Sequence, residues 1–319
     1  MRPLVGALLL ACAATVQAET TPEALGWLSK ISQATEKLSY TGTFVYQQGE
    51  STETSRITRL VDASGDVEKL EALDGTPREI VRTSDAVRCY LPETRTVKVD
   101  RRSGRRSFPA MLPEQLGKVA QNYSVALGAI KRIAGYECQE VVLTPKDDQR
   151  YGYKLWADTK TGMLLKARTF DDKGRMVEQF TFTMLTIGNV PRESLKSRYA
   201  AQDWRIEDTS VVPANLAESG WSVRGGLPPG FLKVDEVGRR LGDAKPLGQI
   251  VYSDGLAAVS VFIEPSEGRT EPVRTGLSSM GAIHIYTREV ANHVVTVVGE
   301  APAASVRRIA NAVEYRPRQ

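Results

Sequence analysis

The sequence predicts a mainly β protein of the α+β class: a large curved antiparallel sheet or open barrel with one helix, followed by a smaller α+β domain. One amphipathic helix lies near the N-terminus, and about ten short runs of alternating apolar and polar residues follow it. After an irregular stretch, a second set of alternating runs ends in a helix. The length of 319 residues suits two domains, since about 100–200 residues per domain is usual.

The first eighteen residues differ from the rest in kind. Arg2 precedes the apolar run 4–14, and small residues follow at Val16 and Ala18. This pattern predicts a signal peptide over residues 1–18, cleaved to leave Glu19 first, and hence a periplasmic protein. Residues 9–12 (LLAC) also fit a lipoprotein box, which would leave Cys12 lipidated. A helix needs about 20 apolar residues to span a bilayer, and no later apolar segment of the sequence comes close to that length.

The first domain is predicted over residues 19–195. Thr21, Pro22 and Glu23 are typical of a helix N-terminus, and apolar residues then recur at helical spacing to about Leu38. Strands are predicted over residues 40–47, 56–61, 78–83, 86–91 and 94–99, a short helix over 113–120, and further strands near residues 123, 137, 151, 163 and 175. Short turns between successive strands favour a single antiparallel meander.

Apolar and aromatic side chains share one face of this sheet. Alternation places Met176, Phe180, Phe182 and Met184 on the same side of the longest strand. This face is either a core packed against the helix or the wall of a ligand cavity. One helix covers only part of so large a sheet, which favours a cavity for acyl chains. The predicted cavity residues are Phe44, Tyr46, Tyr153, Leu155, Leu165, Phe180, Phe182 and Met184.

A linker is predicted over residues 196–218, where prolines and scattered charges leave no clear period. The second domain then covers residues 219–319. Strands are predicted over 221–224, 231–237, 248–252, 257–263, 283–288 and 293–298. A terminal helix is predicted over 303–313, with Val306, Ile309, Ala310 and Val313 facing inward.

Two cysteines remain after the predicted cleavage, Cys89 and Cys138. In an oxidising compartment such a pair predicts a disulfide. Closing that loop would contribute about 4 kcal/mol in the chain-entropy model. The alternative is two separate buried thiols. Two cysteines alone cannot form a structural zinc site.

Four arginines surround one glycine in the stretch Arg101, Arg102, Arg105 and Arg106. Guanidinium groups bind phosphate bidentately, so this stretch is a predicted anionic-ligand rim beside the cavity. The alternative is a solvated hairpin. The net charge of +4 is mild, and no aromatic residues alternate with these arginines, so nucleic-acid binding is not expected.

Recognisable catalytic motifs are absent from the sequence. His284 and His293 are its two histidines, and neither has metal-ligand spacing. There is no HExxH, CxxC, GxSxG or phosphate-binding glycine loop. The acidic pairs at 147–148 and 171–172 lie among turn residues, where aspartate caps the backbone. We therefore expect no enzyme, catalytic residue, metal or cofactor.

Several stretches resemble the RseB/MucB family. In the first domain they are YTGTFVY (40–46), LDGTPREIVR (73–82) and the long stretch 150–183 that begins RYGYKLW. In the second they are LPPGF (227–231), YSDGLAAVSVFIEP (252–265) and VTVVGEAPAASVRRIANAV (295–313). No single motif is strong, but the ordered set covers nearly all of the mature chain.

The resemblance implies both a fold and a function. The first domain would be a half-open β-barrel like the lipoprotein carriers LolA and LolB. The second would bind the periplasmic region of a membrane-spanning anti-sigma factor and shield it from proteolysis. Lipopolysaccharide or the acyl chains of mislocalised lipoprotein would release it. The alternative is a periplasmic lipid or lipoprotein carrier without a regulatory partner. The sequence leaves open whether the chain forms a homo-oligomer.

Overall fold

The structure is a computed structural model that describes residues 20–101, 116–199, 201–209, 211–239, 247–267 and 272–317. The predicted signal peptide, its cleavage site and Cys12 lie outside the described residues, as do Arg102, Arg105 and Arg106. In the described part of the chain, no helix is long and apolar enough to cross a membrane.

The predicted fold class is confirmed. The first domain begins with helix α1 (Pro22–Lys37), and helix α2 (Leu116–Asn122) lies between its two groups of strands. Its strands are β1 (Tyr40–Gln48), β2 (Ser51–Asp62), β3 (Gly65–Ala72), β4 (Glu79–Arg82), β5 (Val87–Leu91), β6 (Thr96–Asp100), β7 (Tyr123–Ile133), β8 (Tyr136–Pro145), β9 (Gly152–Asp158), β10 (Leu164–Phe170) and β11 (Met176–Ile187).

The large sheet consists of two meanders joined side by side, not one. Strands β1 to β6 form the first meander and β7 to β11 the second, and β1 pairs with β11 to join them. Strands β6 and β7 therefore lie far apart, and the sheet stays open as a half-barrel. Strand β12 (Arg205–Asp208) extends the sheet by pairing in parallel with β6.

Helix α1 covers part of the concave face. Thr21 caps its N-terminus by accepting a hydrogen bond from the Ala24 N–H (3.2 Å), and Pro22 occupies the first turn, as predicted. Ala24, Leu28 and Ile31 are fully buried and belong to the same apolar cluster as the interior residues of the sheet. Burial of this stripe, more than helix propensity, therefore holds α1 in place.

The second domain is a sheet covered by one helix. Its seven described strands have the order β13, β15, β16, β17, β20, β19, β18. Helix α3 (Ala303–Asn311) buries Val306, Ile309 and Ala310 against it, while Val313 begins a short final strand. The strands are β13 (Val211–Pro213), β14 (Trp221–Val223), β15 (Leu232–Arg239), β16 (Leu247–Ser253), β17 (Ala258–Pro265), β18 (Gly276–Met280), β19 (Ile283–Val290), β20 (His293–Gly299) and β21 (Val313–Tyr315).

The predicted linker over residues 196–218 carries secondary structure. Strand β12, which ends at Asp208, belongs to the large sheet, and β13, which begins at Val211, belongs to the small one. Two sheet edges therefore anchor the connection, and the free stretch is much shorter than the sequence suggested.

Met184 does not belong to the concave face, contrary to the sequence prediction. A β-bulge shifts the register between Thr43 and Phe44, so Thr43 lies opposite Met184 and Phe44 opposite Phe182. One extra residue reverses the alternation beyond the bulge. The side chain of Met184 is 70% exposed, whereas that of Phe182 is 1% exposed.

The predicted disulfide is wrong: Cys89 and Cys138 are free thiols. Cys89 lies on β5 and Cys138 on β8, at positions separated by seven intervening strands of the same sheet. A disulfide needs Cα atoms within about 7 Å. Burial raises the pKa of Cys138 to about 12 and also raises that of Cys89, so both thiols stay protonated.

The bulge predicts different costs for two substitutions on one strand. Phe182→Ala removes a ring buried among aromatic neighbours and should lower the free energy of unfolding by about 3–5 kcal/mol. Met184→Ala removes an exposed side chain and should change it by less than about 0.5 kcal/mol. Urea denaturation of both variants measures the difference; similar losses would contradict the reversed alternation.

Candidate functional site

The structure brings together seven of the eight predicted cavity residues on the concave face of the large sheet. Six of them are at most 5% exposed: Phe44, Tyr153, Leu155, Leu165, Phe180 and Phe182. The phenylalanine rings meet edge to face: the centroid of the Phe44 ring lies 6.4 Å from that of Phe180 and 5.7 Å from that of Phe182. Such contacts stabilise a closed packing.

Helix α1 packs over one side of this surface, against β7, β8 and β10. The six side chains pack in one cluster with Leu28 and Ile31 of the helix. Tyr46 lies at its margin, half-buried, and donates a hydrogen bond to the Glu178 carboxylate (2.6 Å). A ligand entering here would have to part these buried side chains from one another. The ligand cavity therefore stays a prediction, and it requires an opened form of the domain.

The two domains meet at a buried arginine that the sequence analysis did not select. Arg150, between β8 and β9, is 1% exposed. Its Nη1 donates to Asp254 Oδ2 of the second domain (2.6 Å), and its Nη2 donates to the Pro229 carbonyl oxygen (2.5 Å). Nε and Nη2 also donate to the two carboxylate oxygens of Asp147 (2.9 and 3.0 Å).

Both charges of this pair are desolvated, and both are saturated with partners. Asp254 Oδ1 accepts the backbone N–H groups of Leu256 and Ala257 (3.0 and 2.9 Å), and Oδ2 also accepts the Tyr123 hydroxyl (3.3 Å). The guanidinium lies over the rings of Tyr123 and Phe231, 5.6 and 5.7 Å from their centroids. A buried ion pair persists only with such complete hydrogen bonding.

Three of the family-like stretches converge on this point. Arg150 begins the stretch 150–183, Pro229 and Phe231 belong to LPPGF, and Asp254 belongs to YSDGL. Nothing in their periodicity predicted the contact. In the sequence, Arg150 lies at the edge of a predicted strand and Asp254 lies in a distant turn. Nothing in the sequence pattern connects the two residues.

Further contacts extend the junction on both sides of Arg150. The Tyr151 hydroxyl donates to the Ala282 carbonyl oxygen (3.3 Å) and lies 3.2 Å from His284 Nδ1. The Ser305 hydroxyl of α3 donates to the Gln149 carbonyl oxygen (2.8 Å). Ala282 of the second domain is fully buried in the apolar cluster of the first. The junction is therefore a continuous packed surface.

Two carboxylates lie near each other at the edge of this junction. Burial and the neighbouring Glu178 raise the pKa of Glu300 to about 7. Glu178 belongs to the first domain, where it accepts hydrogen bonds from Tyr46 and Thr169, and Glu300 follows β20 of the second. Ionisation of both therefore places like charges across the two domains.

The polar residues singled out in the sequence have structural roles. Asp147 and Asp171 accept backbone N–H groups two residues ahead, as the turn interpretation predicted. His293 packs edge to face on Trp221. Across the described ranges, no group of His, Cys, Asp or Glu has the geometry of a metal site. Arg101, the described member of the arginine stretch, forms an ion pair with Asp208 (3.5 Å).

The edges of the small sheet are the places where a further strand could pair with it. Strands β16 and β17 lie inside the sheet with neighbours on both sides. Among the described strands, β13 and β18 are the outermost. Only an edge strand presents unpaired backbone groups to another chain, so β13 and β18 are the candidates for such pairing.

Family models match both domains. The MucB/RseB N-terminal domain matches residues 23–206, and the MucB/RseB C-terminal domain matches residues 215–314. The chain belongs to the MucB/RseB family. The two matched regions are separated by residues 207–214, a stretch that includes the end of β12 and all of β13.

The similarity extends over whole relatives. The chain is 32% identical to the sigma factor AlgU regulatory protein MucB of Pseudomonas aeruginosa, covering 96% of this chain and 95% of that protein. It is 26% identical to the sigma-E factor regulatory protein RseB of Haemophilus influenzae, covering 91% and 90%. A crystal structure of MucB in complex with MucA(peri) superposes with a TM-score of 0.70 at 30% identity, covering 93% of this chain and 99% of that one.

The junction predicts that Asp254 is far more important to stability than a comparable surface aspartate. Asp254→Asn leaves Arg150 buried with one carboxylate fewer and should lower the free energy of unfolding by about 3 kcal/mol. Asp171→Asn is the control, because Asp171 also accepts two turn N–H groups and pairs with an arginine, Arg175, that is exposed. Its cost should stay below about 1 kcal/mol. Equal losses in chemical denaturation would contradict a dominant role for the buried pair.

The neighbouring carboxylates of Glu178 and Glu300 predict a pH dependence of stability. The pKa of Glu300 is about 7 in the folded protein, whereas the ordinary value for a glutamate, which we take for the unfolded chain, is 4.5. The folded state therefore binds more protons between these values, so the free energy of unfolding falls as pH rises through this window. Glu300→Gln should flatten that fall and be the more stable form at about pH 8. Because Glu300 keeps an exposed surface, solvent moderates the effect.

The matched control for this dependence is Glu289→Gln, an exposed carboxylate on the neighbouring strand β19. Urea denaturation of both variants and the wild type across the window measures the slopes. A wild-type slope that Glu300→Gln leaves unchanged would show that other groups cause it.

Proposed function

We propose that this chain is an exported regulator that binds the periplasmic region of a membrane-spanning anti-sigma factor and shields it from proteolysis. The observation that carries the proposal is the match over both domains to MucB, solved in complex with MucA(peri). The curated relatives MucB and RseB are both named as regulatory proteins of sigma factors. A carrier without a partner would not need the second domain.

We propose further that an acyl-chain ligand controls this binding. Lipopolysaccharide or mislocalised lipoprotein would occupy the concave aromatic face after α1 moves away from it. The support is chemical: Phe44, Phe180 and Phe182 offer a large apolar surface, and each buried methylene contributes about 0.8 kcal/mol. The price is the loss of the edge-to-face packing and of the contacts with α1.

The junction at Arg150 supplies a physical basis for coupling the two events. Partner binding to one domain and ligand binding to the other influence each other only if both bias one equilibrium between arrangements. The Arg150 network joins the domains through Asp254 and the Pro229 carbonyl group. An opened first domain that shifts β8 and β9 would strain these bonds. The second domain would then take up a different position.

The test measures the affinity of the full chain for the periplasmic segment of the anti-sigma factor by calorimetry, with and without lipopolysaccharide. We expect lipopolysaccharide to weaken partner binding about tenfold, which is within the usual range of coupling between sites. The partner segment should weaken lipopolysaccharide binding by the same factor. The matched control ligand is the core oligosaccharide without acyl chains, which should leave partner affinity unchanged.

Each outcome separates one part of the proposal from the other. Partner binding that lipopolysaccharide leaves unchanged would remove the ligand control and keep the regulator. An equal effect of the oligosaccharide would move the ligand site away from the apolar face. Lipopolysaccharide binding without any binding of the partner segment would leave a carrier in place of the regulator.

A further inference from the structure

A row of hydrogen-bond donors on the convex face of the large sheet has no acceptor among the residues that the structure describes. Trp156, Lys166 and Thr181 are direct neighbours on β9, β10 and β11, because Lys166 lies opposite Trp156 on one side and Thr181 on the other. Within the described ranges, the Trp156 indole Nε1 and the Thr181 Oγ1 are buried without a hydrogen-bond partner. Lys166 lies against the indole ring and has no hydrogen bond or ion pair within the part of the chain that the structure describes.

Positive charge is concentrated around this row. The Nζ atoms of Lys131 and Lys166 each lie 5.5 Å from the centroid of the Trp156 ring, and Arg168 Cζ lies 5.7 Å from it. Lys131 is 3.6 Å from the Glu140 carboxylate, and Arg168 donates to the neutral amide of Gln179 (2.8 Å). Three cations therefore face a single carboxylate contact among the described residues.

This arrangement is unfavourable by itself. A buried donor without an acceptor loses its hydration and gains nothing in return. The cations also repel one another, and burial together with Arg168 and Lys131 lowers the pKa of Lys166. The aliphatic stems of the lysines cover the ring, which explains why Trp156 is 3% exposed. That covering does not provide an acceptor for the indole N–H or the threonine hydroxyl.

We propose that Trp156, Lys166 and Thr181, flanked by Lys131 and Arg168, form a binding site for a phosphate group. A phosphate offers several acceptor oxygens and a negative charge, which matches a row of donors set among cations. Inorganic phosphate and a phosphate ester on a lipid headgroup share this chemistry. Lys131 has a side chain that is 53% exposed, so its flexible stem can move aside to admit the ligand.

This site is independent of the proposed regulatory function. Lys166 and Trp156 point away from the concave aromatic face, because their strand neighbours Leu165 and Leu155 point into it. A phosphate bound here would not contact the acyl-chain surface. It would also lie apart from Arg101, which follows β6 on the other side of the β1–β11 seam.

The experiment follows the indole N–H signal of Trp156 in the ¹⁵N-labelled full chain. The sequence contains four tryptophans, so Trp156→Phe assigns the signal. Titration with inorganic phosphate at constant ionic strength should shift it saturably, and short-chain phosphatidic acid forms a second arm. Lys166→Met should weaken binding about tenfold, since it removes a charged hydrogen-bond donor. Lys154→Met is the matched control, because Lys154 lies on the same face over Phe170 and should change binding less than about twofold.

Thermal unfolding gives a second readout. Phosphate should raise the melting temperature of the wild type and of Lys154→Met but not that of Lys166→Met. Thr181→Val, which keeps shape and charge, gives the same comparison if Lys166→Met does not fold. Binding by phosphatidic acid alone would support the site and assign it to lipid-borne phosphate. No shift with either ligand, or equal weakening by Lys154→Met, would overturn the proposal.

Discussion

The buried ion pair between Arg150 and Asp254 is the constraint on which the arrangement of the two domains depends. Both side chains are completely enclosed, so neither charge can regain water unless the domains separate. The pair therefore favours one arrangement of the domains. Arg150 and Asp254 keep all their hydrogen-bond partners only when the start of β9 lies against the turn that follows β16. Separating the two partners would leave an uncompensated buried charge, so the pair disfavours other arrangements of the domains. The apolar contacts around Ala282 supply the remaining attraction.

The two faces of the large sheet carry different chemistry. The concave face is apolar and already satisfied by aromatic packing and by α1. The convex face near Trp156 carries cations and donors that have no acceptor in the described part of the chain. Opening a packed apolar core costs free energy, because its contacts are lost. A hydrogen-bond acceptor placed at the row of donors near Trp156 would lower the free energy. The convex surface therefore has more to gain from a polar ligand than the concave one.

Much of the fold could be predicted from the sequence because it is encoded locally. The capping at Thr21, the apolar stripe of α1 and the alternation of most strands follow from neighbouring residues. Met184 could not be placed, since a bulge depends on the pairing of β1 with β11. The predicted disulfide between Cys89 and Cys138 was wrong for a similar reason. An even number of cysteines carries no information on the order of strands in the sheet. Arg150 was missed because its partners come from two other segments of the chain.

The seam between β1 and β11 has a consequence for the order of events as the chain folds. It joins residues about 140 positions apart; for example, the Thr183 hydroxyl bonds to the Thr43 carbonyl oxygen. A chain emerging from a ribosome or a translocation pore presents its N-terminus first. Strand β1 then has an unpaired edge until β11 arrives, and Asp254 comes later still. We expect slow maturation with a long-lived open edge, a state in which protection by a chaperone matters most.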